Sequence, residues 1–208
     1  MKYNGFYYFL FAPAMKKVIK EKYGKDYANQ IMKKSKGIYR ELVLNAPDIG
    51  DDNPMAYNEW FALAFVAPYI ASDKQIPPEV VQEMMRQGLY RVKWYFSLVD
   101  LNTPKGKDAN KKTVMAYYKW YTPEKEAKYP TSFKIDFEGQ PSKDACYYRI
   151  TRCPICSYCK KIGVEELMPL FCELDKVMIT LQHGVLHRQK TIANGDEYCD
   201  YYITGNRE

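Results

Sequence analysis

The sequence predicts an α+β fold in which an antiparallel sheet of about four strands, in the C-terminal half, packs against a mostly helical N-terminal half. Three observations predict it. Apolar residues recur at the helical period through the first half. From Ser132 the period drops to two, with Phe133, Ile135 and Phe137 alternating against Lys134, Asp136 and Glu138. Near the end, Asn194-Gly195 sits between two alternating runs, the strongest short-range signal for a hairpin.

In chain order, a basic helix spans about Ala14 to Lys36 and ends at Gly37, and an apolar helix spans Tyr57 to Ala71, where Pro68 kinks or shortens it. Between them Asn45 to Pro54 is a loop rich in turn formers. A third helix opens at Pro77-Pro78 and runs to about Val99, with Val80, Val81, Met84, Met85, Leu89, Val92, Trp94, Tyr95 and Leu98 as its buried stripe. Asn102 to Lys112 is a polar loop, followed by a short helix around Val114 to Trp120.

The alternating run after Ser132 pairs with Cys146 to Thr151 through a turn at Gly139 to Ser142. Cys153-Pro154 then opens a helix that Gly163 closes. The next helix runs from about Pro169 to Gln182 and stops at Gly184. Leu170, Leu174, Val177, Met178 and Leu181 form its apolar stripe, and Cys172, Asp175 and Ile179 lie at the stripe's edge. The last hairpin joins Val185–Ile192 to Glu197–Ile203. A two-residue turn sets Arg188 opposite Tyr201 and Lys190 opposite Cys199, which carries Arg188 and Cys199 to the core side with Leu186, Ile192 and Ile203.

At 208 residues the chain fits one domain, mainly helical over 1–125 and sheet-containing over 126–208. The net charge of +6 comes from scattered lysines, which suits a solvated surface and a small anionic substrate better than a nucleic-acid partner. No stretch approaches the ~20 apolar residues of a spanning helix, so no membrane partner is expected. The apolar run from Gly5 to Ala14 holds two tyrosines and lacks a cleavage site, and the expected location is the cytoplasm. The sequence fixes no oligomeric state. Its 20 tyrosines favour wet, hydrogen-bonding sites.

Of the six cysteines, Cys153, Cys156 and Cys159 invite a metal reading, yet a zinc ribbon lacks its second pair and a ferredoxin run would need cysteine where Gly163 stands. They read as structural, reduced thiols. Cys172 and Asp175 stand one helical turn apart, with Cys199 and His187 on the neighbouring hairpin. Two kinds of chemistry stay open there: zinc held through Cys172, Cys199, Asp175 or His187, or a thiolate nucleophile with Asp175 or His187 as base. His183 caps the end of its helix. Arg188, carried inward, needs a carboxylate, either Asp175 or that of a ligand.

Cys153-Pro-Ile, Cys159-Lys-Lys, Cys172-Glu-Leu-Asp175, Arg188-Gln-Lys-Thr191 and Gly195 followed by Cys199-Asp200-Tyr201 resemble, in order and spacing, the C-terminal signature of the L-2-amino-thiazoline-4-carboxylic acid hydrolase family. Asn58-Glu-Trp-Phe-Ala62 and Tyr129-Pro-Thr-Ser-Phe133 agree more loosely. Cys159 departs from a frequent tyrosine-histidine pair, and Tyr201 from the usual phenylalanine. The resemblance implies a hydrolase that opens a small cyclic amidine by adding water, giving a carbamoyl-cysteine. It implies Cys172, Asp175, His187 and Cys199 as the catalytic set and Arg188, Thr191, Asp200 and Tyr201 as substrate-binding residues. A remoter resemblance, to small-ligand domains related to vinyl reductase proteins, implies instead a non-catalytic small-ligand or metal-binding module. Either way, Cys172, Asp175, Arg188 and Cys199 are expected to line one cavity with His187 at its rim. Replacing Arg188 with Met should then weaken carboxylate ligands by ~2 to 5 kcal/mol.

Overall fold

The computed structural model describes residues 1–138 and 146–207. The turn expected at Gly139 to Ser142 lies outside the described residues. Helix α1 (Phe6–Tyr23) takes in the apolar N-terminal run, and α2 (Lys25–Asn45) follows a one-residue break. This corrects the single helix expected to end at Gly37. The break falls at Gly24, whose φ of 89° suits glycine, while Gly37 sits within α2 with open space around it.

Helix α3 (Ala56–Ala71) runs on through Pro68 and is buried along most of its length. It packs on α1, α2 and α4 (Pro78–Arg91), and Met15, Ile19, Tyr39, Leu63, Phe65, Met84 and Met85 are fully buried among them. Burying each large apolar side chain stabilises the fold by roughly 1.5–3 kcal/mol. One polar group interrupts this core. Glu59 on α3 is 0% exposed, and neither carboxylate oxygen has a hydrogen-bond partner among the described residues. Burial pushes its carboxyl up to about 8.

The third expected helix starts where its prolines predict but breaks at Val92, before a single further turn, α5 (Lys93–Phe96). Trp94, Tyr95 and Leu98 are therefore not part of a buried stripe. They are 65%, 61% and 74% exposed, because the break takes them off the helical face that Leu89 occupies. The expected polar loop is corrected too, since α6 (Pro104–Trp120) covers most of it. Thr103 accepts a hydrogen bond from the Gly106 amide at 3.1 Å and Pro104 takes the first helical position. Gly106, which reads as a loop residue, is there for packing: a Cβ would stand 1.9 Å from the Asp100 carbonyl oxygen. A short α7 (Pro123–Lys128), capped by Thr122, precedes the sheet.

Among the described residues the sheet has four antiparallel strands, β1 (Lys134–Asp136), β2 (Cys146–Arg152), β3 (Gly184–His187) and β4 (Cys199–Gly205), in the order β1-β2-β4-β3. Between β2 and β3 lie α8 (Pro154–Lys161), which ends before Gly163 at φ 70°, and α9 (Met168–Leu181). His183 closes α9 through its backbone: it adopts φ 58°, and its amide bonds to the Thr180 carbonyl at 3.0 Å.

Strand β3 pairs with β4 in the expected register, Leu186 opposite Ile203 and His187 opposite Tyr202. The connection is not a two-residue turn, however. Pairing stops at His187, and a loop carries a 3-10 turn, Ile192–Asn194, before Gly195 at φ 94°. The Asp200 carboxylate takes over the role of a strand partner, accepting the Gln189 amide at 3.1 Å and the Lys190 amide at 2.6 Å. One sheet face is thus apolar, with Cys146, Ile150, Leu186, Cys199 and Ile203 buried against the helices. The other carries the exposed Val185 and His187.

Candidate functional site

Four side chains, from α9, β2, β4 and the loop after β3, converge where α9 packs on the apolar face of the sheet. Asp175 projects from the middle of α9. Arg188, just past β3, donates from Nη1 to Asp175 Oδ2 at 2.6 Å and from Nη2 to the carbonyl of Cys172. Tyr201 on β4 donates its hydroxyl to the same Oδ2 at 2.7 Å, and its ring lies 5.2 Å from the guanidinium. Tyr148, opposite Tyr201 on β2, stacks on it with centroids 4.6 Å apart and planes 9° apart. The Arg188 side chain is 2% exposed and that of Asp175 23%. An inward guanidinium has thus found its carboxylate within the chain.

The electrostatics follow from that enclosure. Burial raises the Asp175 carboxyl above its ordinary range, while Arg188 and the Tyr201 hydroxyl pull it back toward the ionised form. For Arg188 burial disfavours the charge, but Asp175 and Tyr201 outweigh it and hold the guanidinium firmly protonated. The Tyr148 and Tyr201 phenols are pushed well up, first by burial and then by neighbours that include Asp175.

The thiols are quiet in this setting. All six cysteines are free. Cys172 is pushed up to about 12 by burial, then by Asp175 and Cys199, and Cys199 is raised by burial against the Ile192 amide, which donates to its sulfur at 3.2 Å. A thiolate at Cys172 would have to form beside a carboxylate whose Oδ2 already serves Arg188 and Tyr201. Alkylation of Cys146, Cys159 and Cys172 by iodoacetamide at pH 7.5 is therefore expected to run at least about tenfold slower in the native protein than in urea. Mass spectrometry of quenched samples measures this, and equal rates would show that the thiols are open and reactive.

The remaining expected residues divide. Thr191 is buried, and its hydroxyl accepts from the Asn194 amide at 3.3 Å, so it shapes the 3-10 turn. Asp200 is engaged with the loop amides already described. His187, expected at the rim, lies on the opposite sheet face, 3.0 Å from Thr204 Oγ1 and beside the Tyr202 ring. The cause is the pleat: His187 is one residue from Arg188 and points the other way. Among the described residues no three His, Cys, Asp or Glu side chains are placed to hold a metal ion.

Sequence reasoning did not single out Tyr148 or Tyr57. Strand register was the available signal for Tyr148, since it shares the β2 face of Ile150 and stands opposite Tyr201. Tyr57, in the first turn of α3, feels the Asp175 charge across the fold.

Among the described residues no helix is long and apolar enough to cross a membrane. Neither a curated protein nor a solved structure matches the chain. A family model does, described as L-2-amino-thiazoline-4-carboxylic acid hydrolase and covering residues 57–203, a span that begins at Tyr57 and takes in Asp175, Arg188 and Tyr201. The chain belongs to the L-2-amino-thiazoline-4-carboxylic acid hydrolase family.

Proposed function

We propose that this protein is a hydrolase that opens a small cyclic amidine at its C–S bond, with Asp175 as the proton-transfer group. The observation that carries the reading is the Asp175 carboxylate itself. Arg188 and Tyr201 both bond to Oδ2, which fixes the carboxylate and leaves Oδ1 accepting from neither, on a side chain that is 23% exposed. A carboxylate held in this way, its proton affinity raised by burial, is suited to accepting and returning a proton.

A water oxygen bonds to the carbon between sulfur and nitrogen of the amidinium, whose ring nitrogen is already protonated, while one water proton passes to Asp175 Oδ1, giving a tetrahedral intermediate. The C–S bond then breaks, the sulfur takes that proton back, and the carbonyl forms as the hydroxyl proton leaves to solvent. A 4-carboxylate substrate yields a carbamoyl-cysteine with a free thiol. His187 has no part in this scheme, because it lies on the far face of the sheet.

Release of thiol from 2-amino-thiazoline-4-carboxylate is the direct test. Turnover by the wild type, with Asp175→Asn lowering kcat by about 10²–10⁴, is the expected result. Activity should rise with pH as Asp175 ionises and then level off. Saturable binding without product would instead identify a small-ligand module without catalysis.

A further inference from the structure

Arg188 and Asp175 differ in what they can offer a ligand. The guanidinium is 2% exposed, it donates to Asp175 and to the Cys172 carbonyl, and the Tyr201 ring lies against it. A ligand carboxylate could reach it by displacing Asp175, which would leave a buried aspartate without its cation. Asp175 is the more open partner, and its Oδ1 accepts from neither Arg188 nor Tyr201. Arg188 is the main charge acting on it, and Glu173, itself paired with Lys176 at 2.9 Å, acts more weakly. Beside Asp175 stand the Tyr201 phenol, which donates to Oδ2, and the Tyr148 ring stacked on it. What the site offers a ligand is therefore a carboxylate oxygen and not a free guanidinium.

We infer that the site recognises its substrate through the cationic N–C–N group of the amidine, bound at Asp175 Oδ1, and that a ring carboxylate is dispensable, so the same site hydrolyses carboxylate-free cyclic isothioureas such as 2-amino-2-thiazoline. This rests on the proposed hydrolase reading and extends its substrate class. The reaction has the same balance: a C–O bond forms, the ring C–S bond breaks, and the product is a mercaptoethyl urea. The two ends of the 4-carboxylate substrate are treated unequally. Its amidinium meets Asp175, and its carboxylate stays toward solvent, away from a charge of its own sign.

Calorimetric titration of the wild-type protein tests this with three probes: 2-amino-thiazoline-4-carboxylate, 2-amino-2-thiazoline, and 2-thiazoline-4-carboxylate, which lacks the amino group. The first two are expected to bind within about threefold of each other. The third should bind at least tenfold more weakly, as loss of a charge-assisted hydrogen bond requires. The opposite ranking, or no binding by any probe, would overturn the inference. Asp175→Asn should erase the preference for the amidines. Because that variant could unfold, its circular dichroism is recorded alongside, and the wild-type ranking decides if it does. Thiol release is measured separately on the same samples. Binding in the expected order without product would sink the hydrolase reading and keep the recognition mode, whereas turnover of the 4-carboxylate without binding of 2-amino-2-thiazoline would do the reverse.

Discussion

Raising the pH from about 5 to about 8.5 is expected to remove about 4 kcal/mol of folding stability from the wild-type protein, and Glu59→Gln is expected to abolish that loss. Glu59 is 0% exposed on α3, and both carboxylate oxygens are unpartnered among the described residues. A lone charge there is costly, so burial raises the carboxyl to about 8. The groups that act on it are few. The Met1 amino group lowers its pKa and Asp48 raises it, while Tyr158 and Cys159 on α8 feel its charge in turn. In the unfolded chain the same carboxyl ionises at its ordinary value of 4.5. Between those two values the folded state binds more protons than the unfolded one, so stability falls as pH rises. It is fully present below 4.5 and fully lost above about 8. A glutamine keeps the shape and carries no charge at any pH. Urea midpoints measured across this range should therefore converge for the two proteins at pH 5 and diverge at pH 8.5, with the variant the more stable. Parallel curves would mean that Glu59 is ionised and paired in the native state.

This residue also marks a limit of what sequence shows. Glu59 stands in an apolar helix where a carboxylate would ordinarily face water, and nothing in its neighbours' identities says that its face is buried. The same limit explains the N-terminal helices. Gly24 and Gly37 are the same residue type, and the choice of which one takes a positive φ depends on tertiary packing. Trp94, Tyr95 and Leu98 continue the apolar period of α4 but escape burial because the helix breaks at Val92. The sheet was more legible. Alternation of Leu186 with exposed neighbours, and of Ile203 with Tyr202, is enough to set the β3–β4 register even though the loop beyond it departs from a tight turn. That register, with the one-turn spacing of Cys172 and Asp175, brings Arg188 to α9. Sequence left open which carboxylate Arg188 would find, because a ligand and Asp175 satisfy the same pattern.

Arg188→Met is expected to cost about 3–5 kcal/mol of stability, most of it from leaving Asp175 buried without a counter-charge. The guanidinium fills a dry position between α9 and the strand ends, where it bonds to Asp175 and to the Cys172 carbonyl. Methionine replaces its volume but none of its donors. The partner's carboxyl, already raised by burial, then loses the neighbour that pulled it down. Two consequences separate this account from simple loss of packing. The double variant Arg188→Met, Asp175→Leu removes both charges from the same space and should return to within about 1 kcal/mol of wild type, since volume-matched apolar pairs commonly replace buried ion pairs without loss. A double-mutant cycle by urea unfolding reads the coupling directly, and additive losses would contradict it. The second consequence concerns activity. With its cation gone, Asp175 stays protonated to higher pH, so any residual turnover by the single variant should rise along a limb displaced to the alkaline side of the wild-type profile. An unshifted limb would mean that the group titrating in catalysis is not Asp175.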